Sequence, residues 1–196
     1  MDIKKLTDEE LVLNICALKD ESRVIFEEHI EELFNRYKLQ IYSLSRYYGL
    51  QNEDAMDVVQ ETFIKFLNFH HSFKKNLTFK PWFFKIVLNV VRNKYNELKK
   101  YSYVEISKLS SQVYFDENFE KLQKREYVRG ILNRLPVKER EVVLLEVYGG
   151  LSLQEISKTL DISLRQVYNR LEKAYELLRE YIGDNINDFW NWKEKA

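Results

Sequence analysis

Two sets of side chains in this 196-residue chain are suited to holding an anion and reading a flat polar edge. Lys85, Asn89, Arg92, Asn96 and Lys99 fall four, three, four and three residues apart, a spacing that lines them up along one side of a helix. Lys and Arg neutralise phosphates, and the Asn amide pairs a donor with an acceptor, as base edges do. Lys80 and Trp82 stand just before this stripe. Phe73, Phe79, Trp82 and Phe83 can stack on single-stranded bases or, with equal weight, fill a core. The second set is Arg165, Asn169, Glu172 and Lys173, opposite Val167 on a helical wheel, with Gln166 and Arg170 on the flank. Ser163 opens that helix, and amides at a helix start can hold a backbone phosphate. Both sets point to recognition of nucleic acid with no covalent bond made or broken.

Catalysis has far less to work with. His29, His70 and His71 are the only histidines, and the adjacent pair cannot share a helical face as spaced metal ligands do. There is no glycine-rich phosphate loop, and no Ser or Cys stands in a nucleophile setting. The sequence therefore asks for neither an enzyme nor a metal or other cofactor. The lone Cys16 can form no internal disulfide, no stretch is apolar enough to span a bilayer, and residues 1–10 are too acidic and polar for a signal peptide. A cytoplasmic protein with no membrane contact of its own is expected.

The elements that position these residues read as helices. With 45% hydrophobic and 14% aromatic residues but only five glycines and two prolines, the chain can bury a sizeable core and has little turn chemistry for sheets, so an all-α fold is expected. Three capping boxes set helix starts: Thr7 with Glu10, Ser152 with Glu155, and Ser163 with Gln166. Apolar periodicity predicts helices over 24–48, ending at Gly49, over 52–68, and from Pro81 to about residue 100. Residues 70–80 look too polar and irregular for core. Residues 101–116, serine-rich and weakly periodic, read as a flexible linker. A second domain begins near residue 117, passes the Leu135-Pro136 break and ends in two helices, 152–159 and 163–182, separated only by a short turn at Asp161 and Ile162. That is a helix-turn-helix pattern, although an isolated pair of amphipathic helices is also a plain hairpin with a solvated face.

Charge is spread unevenly. The net charge is +0, yet before residue 62 acidic residues outnumber basic ones two to one, and residues 62–103 hold nine Lys or Arg against Glu97 alone. The 52–68 helix turns Ala55, Val59, Phe63 and Phe66 inward and Asp57, Glu61, Ile64 and Asn68 outward, with Asp54 and Gln60 flanking. An acidic face bearing one aliphatic residue suits docking on a basic protein partner.

These segments carry a resemblance. Asp54-Ala55-Met56-Asp57-Val58-Val59-Gln60-Glu61-Thr62-Phe63, Pro81-Trp82-Phe83-Phe84-Lys85-Ile86-Val87-Leu88-Asn89, Leu135-Pro136 followed by Arg140-Glu141-Val142-Val143-Leu144-Leu145, Gly150-Leu151-Ser152-Leu153-Gln154-Glu155-Ile156 and Val167-Tyr168-Asn169-Arg170-Leu171 occur in order at the right spacing. Together they make the chain resemble bacterial RNA polymerase sigma factors of the sigma-70 family, in the extracytoplasmic-function group. Tyr168 and Asn169 stand where that family often has Lys and Ser. The resemblance implies a region 2 bundle (1–100), a linker (101–116), a region 4 helix-turn-helix domain (117–182) and a C-terminal tail (183–196) beyond the family pattern. It implies that Asp54, Asp57, Gln60, Glu61 and Ile64 dock on core RNA polymerase (β′ coiled coil and β). Lys80, Trp82, Lys85, Asn89, Arg92, Asn96 and Lys99 would meet the opened minus-10 strand, with 73–80 as a base-capturing loop. Ser163, Arg165, Gln166, Asn169, Arg170 and Lys173 would meet the minus-35 duplex. The implied function is promoter recognition and opening in response to an envelope or environmental signal, with an anti-sigma factor as a further partner. A decoy that captures such an inhibitor without touching DNA is the rival reading, and it has no use for the basic residues at 85–99 or for Arg165 and Lys173. In the tail, Phe189, Trp190 and Trp192 can pack on the last helix or contact a regulator.

Overall fold

The computed structural model describes residues 3–17, 23–102 and 119–182, and every regular element among them is helical. Most of the linker expected at 101–116 and all of the tail at 183–196 lie outside the described residues. The first unit contains α1 (Asp8–Ala17), α2 (Arg23–Tyr48), α3 (Asn52–Phe69) and α4 (Phe79–Ser102). The second contains α5 (Phe119–Arg134), α6 (Val137–Val147), α7 (Leu153–Leu160) and α8 (Leu164–Ile182).

Local chemistry sets the boundaries. At the start of α1 the Thr7 amide donates to Glu10 at 2.7 Å and the Glu10 amide donates to the Thr7 hydroxyl at 3.2 Å. The hydrogen bond from the Thr7 backbone holds the Glu10 carboxyl below its ordinary range. Helix α2 stops at Gly49, whose φ of +120° excludes most side chains; a Cβ there would also stand 3.0 Å from the Tyr95 ring and 3.2 Å from Asn133 Oδ1. Helix α4 begins two residues ahead of Pro81, which occupies the first turn, where amides have no intrahelical partner to lose. The Phe79 amide there donates to Glu9 at 2.8 Å, so a carboxylate from α1 caps the positive end of α4.

An aromatic cluster fills the first unit. Tyr37 meets Phe79, Phe83 and Phe84 edge-on, and Phe66 meets Phe79 and Phe83 the same way. Such pairs each contribute about 0.5–1.5 kcal/mol beyond simple burial. This cluster corrects the expectation for residues 70–80. His70, Phe73 and Phe79 are buried, with a short 3-10 turn over His70–Ser72 leading into them. Burying whole aromatic rings outweighs the polar character of the intervening residues, which stay exposed at the surface. Of the four aromatics left open between stacking and core, Phe73, Phe79 and Phe83 are therefore core, and only Trp82 keeps a partly open face.

The second unit packs α6 against α8 and α7 over both. Helices α2 and α4 of the first unit press against α5, α6 and α7, so the buried apolar residues of both units form one continuous cluster. Among the described residues no helix is long and apolar enough to cross a membrane.

Candidate nucleic-acid interface

Helix α4 presents its predicted stripe in two ways. Asn89, Asn96 and Lys99 are exposed, and the Lys99 ammonium sits 4.9 Å from the centre of the Tyr95 ring. Lys85 and Arg92 face the second unit instead. Lys85 Nζ lies 2.8 Å from both carboxylate oxygens of Asp161. Arg92 binds Glu141 with two parallel hydrogen bonds, 2.6 Å from Nε and 2.7 Å from Nη2. Beside the stripe, Lys65, Phe69, Ser72, Trp82, Ile86, Asn89 and Asn93 line an open cleft of about 520 Å³. An aromatic face and two amides in one cleft can stack on a flat heterocycle and hydrogen-bond its edge. Lys80 is half-buried at the start of α4.

Helices α7 and α8 form the expected helix-turn-helix. Ser152 and Glu155 cap α7 reciprocally. Asp161 closes it in the left-handed conformation, φ 52°, and the Ser157 hydroxyl donates to the Ile162 carbonyl at 2.6 Å, fixing the turn. Val167, Leu171, Ala174 and Leu178 are buried, as their spacing requires. Ser163 and Gln166 are occupied as a second capping box: the Ser163 amide donates to Gln166 Oε1 at 2.9 Å and the Gln166 amide to the Ser163 hydroxyl at 3.2 Å. Arg165, Tyr168 and Asn169 are exposed and make no ion pair or side-chain hydrogen bond among the described residues; Arg170 is half-buried beside them. Lys173 reaches Glu139 at 3.3 Å but stays mostly exposed.

The outer face of α3 is as the sequence predicts, with Asp57, Gln60, Glu61 and Ile64 exposed and Ala55, Val59, Phe63 and Phe66 buried. Lys94 of α4 bridges Asp54 at 3.3 Å and Asp57 at 3.1 Å, and the hydrogen bond to Asp57 raises the Lys94 ammonium above its ordinary range. Glu61 pairs with Lys65 at 2.8 Å. Sequence reasoning missed Met56 and Leu67, which are exposed on the same side as Ile64. Positions 56, 60, 64 and 67 share one helical face, and that spacing was the signal available. Exposed aliphatic residues among carboxylates are suited to a protein contact.

Also missed were the residues that join the two units. Glu141, though charged, is almost wholly buried, and its Oε1 accepts from Tyr48 at 2.9 Å as well as from Arg92. Burial, then the Glu141 charge, pushes the Tyr48 phenol up, while the hydrogen bond to Glu141 raises Arg92. Arg140 is only 1% exposed, with its guanidinium 4.8 Å from the Tyr48 ring centre, 5.4 Å from that of Tyr95 and bonded to Asn133 at 2.8 Å. Arginine next to glutamate in the 140–145 segment is unremarkable by composition; only the packing of α2 and α4 reveals that both are enclosed.

Comparison with known proteins agrees with these observations. Residues 33–101 match the family model "Sigma-70 region 2" and residues 125–178 match "Sigma-70, region 4". The chain is similar to the RNA polymerase sigma factor YlaC of Bacillus subtilis (strain 168), 32% identical over 154 residues, covering 75% of this chain and 88% of YlaC. It is also similar to the ECF RNA polymerase sigma factor SigW of the same organism, 27% identical over 171 residues and covering 81% and 91% of the two chains. Its fold is that of CnrH in complex with the cytosolic domain of CnrY, with a TM-score of 0.70, 22% identity, and 89% and 96% of the two chains covered. The two helical units are thus sigma regions 2 and 4, and the chain belongs to the extracytoplasmic-function group of the sigma-70 family, the sigma factors that act with RNA polymerase in transcription initiation.

Proposed function

We propose that this sigma factor docks on core RNA polymerase through the outer face of α3, opens and reads the minus-10 element along α4, and reads the minus-35 duplex with α8. Residues 1–100 and 117–182 serve as the two working domains, 101–116 joins them, and 183–196 is a tail. Asp54, Asp57, Gln60, Glu61 and Ile64, with Met56 and Leu67, supply the polymerase contact. Lys80, Trp82, Lys85, Asn89, Arg92, Asn96 and Lys99 serve the minus-10 strand; Ser163, Arg165, Gln166, Asn169, Arg170 and Lys173 serve the minus-35 duplex. The observation that carries this reading is the cleft where Trp82 stands beside Asn89 and Asn93 on the basic helix. Unstacking a base costs a few kcal/mol, and an aromatic wall with amide partners offsets that cost. Phe73 and Phe79 support the cleft from within the core rather than touch bases themselves. On this reading the chain makes and breaks no bond, and it responds to an envelope or environmental signal through release from an anti-sigma factor.

Run-off transcription with core polymerase, the purified chain and promoter fragments from its host tests the proposal. Discrete starts are expected, and Asn89→Ala should reduce them by on the order of tenfold with core binding unchanged. Unchanged starts would remove Asn89 from the minus-10 site. Core binding without starts would favour the decoy reading.

A further inference from the structure

Helix α8 buries its apolar side chains except at its start. Leu164 and Tyr168 are 37% and 54% exposed, the only large apolar residues left open on that helix. The outward positions around them, Arg165, Gln166, Asn169, Glu172 and Lys173, are exposed and all charged or amide. Residues four apart lie on one side of a helix with their Cβ atoms about 5–6 Å apart, so Leu164 and Tyr168 form one apolar edge. On the helical wheel that edge flanks Arg165 and Asn169, with Gln166 and Arg170 on the opposite flank. We propose that Leu164 and Tyr168 read thymine, by contact with the C5-methyl groups of two neighbouring base pairs in the duplex that α8 binds. The inference deepens the minus-35 role proposed for α8 and rests on it.

The chemistry of the major groove leaves an apolar side chain one partner. Base edges there present hydrogen-bond donors and acceptors, and thymine alone adds a methyl group. Leu164 has neither donor nor acceptor to offer, so the methyl is the part of an edge it can recognise. Tyr168 covers a methyl with its ring while the hydroxyl at the far end stays in water or meets a phosphate. Placement agrees with this, because a recognition helix touches base edges with its N-terminal residues. Leu164 is the first residue of α8, and Tyr168 follows just over one turn later. Their setting is fixed from both sides: Gln166 Oε1 accepts from the Ser163 amide at 2.9 Å and from its hydroxyl at 3.3 Å, and Val167 and Leu171 are buried beneath. Neighbouring base pairs stack about 3.4 Å apart, a step that two side chains with this separation can span. Next to them, Arg165 and Asn169 carry the paired groups that take guanine and adenine. The apolar edge thus adds a pair of thymines to the bases read by the polar centre of the helix.

Holoenzyme assembled from core polymerase and the full chain tests this on duplexes selected from a pool of randomised sequence. Each thymine of a selected duplex is replaced in turn by deoxyuridine, which removes the methyl and keeps every hydrogen-bonding group, and affinity is read by competition. At two neighbouring base pairs the parent should lose about fourfold, the worth of one buried methyl. Leu164→Ser should abolish the loss at one of these and Tyr168→Ser at the other. Tyr127→Ser, at an equally exposed tyrosine on α5, should keep both losses. The serine changes are at exposed positions and leave the buried side of α8 intact. A parent indifferent to uracil, or losses that persist in both variants, would overturn the proposal and leave the minus-35 role standing. A pool that yields no preferred sequence would overturn that role and the inference with it. Arg165→Ala, which should weaken every selected duplex, reads the minus-35 role separately from the thymine contacts.

Discussion

Helices α4 and α8 both present a row of basic and amide side chains on a helix whose other side is buried, and the structure treats the two rows differently. On α8, Arg165 and Asn169 point away from the protein with no partner among the described residues. On α4, Lys85 and Arg92 are matched by carboxylates from the second unit, and one of these, Glu141, is 5% exposed. The α8 row is available as it stands, whereas the α4 row is available only in part. A basic stripe in a sequence therefore identifies a surface that can bind anions without saying whether the protein's own anions have reached it first.

The strongest way to break this comparison is to remove Arg92. Arg92→Ala strands a buried carboxylate and should cost about 3 kcal/mol, the lower end for a broken buried pair because Glu141 regains water if the second unit lifts. Arg165→Ala should stay within about 0.5 kcal/mol of the parent, and the denaturant midpoints of the two variants measure the contrast. Equal stabilities would mean that the joint contributes nothing. On the DNA side the order reverses. Arg165→Ala should weaken binding to a minus-35 duplex by about 1–3 kcal/mol, and Asn169→Ala should relax discrimination at one base pair, as read by competition with single-base variants.

Alkaline pH sharpens the picture within the joint. Burial first, then the charge and hydrogen bond of Tyr47, pushes the Tyr148 phenol well above its ordinary value of 10.0, and burial with the Asp8 hydrogen bond does the same for Tyr37 in the first unit. Both phenols stay protonated in the fold and ionise in the unfolded chain. Their contribution is thus complete below pH 10 and lost as pH rises above it, by at most about 1.4 kcal/mol per pH unit for each group. Thermal melts should be flat from pH 7 to about 9.5 and fall beyond that. The smallest effect is at the caps. Ser152→Ala and Ser163→Ala should each cost about 1 kcal/mol, but only the change at Ser163 should also weaken minus-35 binding if, as we propose, α8 meets the duplex through its start.

Much of the helical framework was legible in the sequence because its signals are local. The three capping boxes appear as hydrogen-bonded pairs, Gly49 ends α2, and the inward residues of α3 and α8 are those their periodicity names. Residues 70–80 were misread since Phe73 and Phe79 are widely spaced among polar neighbours, and no helical or strand period connects them. They pack on each other and on Trp82 nearby, but Phe79 is also enclosed by Tyr37 and Phe66 from α2 and α3, which no local window includes.

By itself the sequence determined the helices, their starts, the faces they bury and the family motifs, since capping and amphipathic spacing act within one or two turns of chain. Only the tertiary structure decided which charges remain open to a partner. Lys94 against Asp54 and Asp57, Lys85 against Asp161 and Arg92 against Glu141 join residues 37 to 76 positions apart. The strength of each pair depends on how far packing removes it from water, and that is a property of the assembled fold rather than of the order of residues.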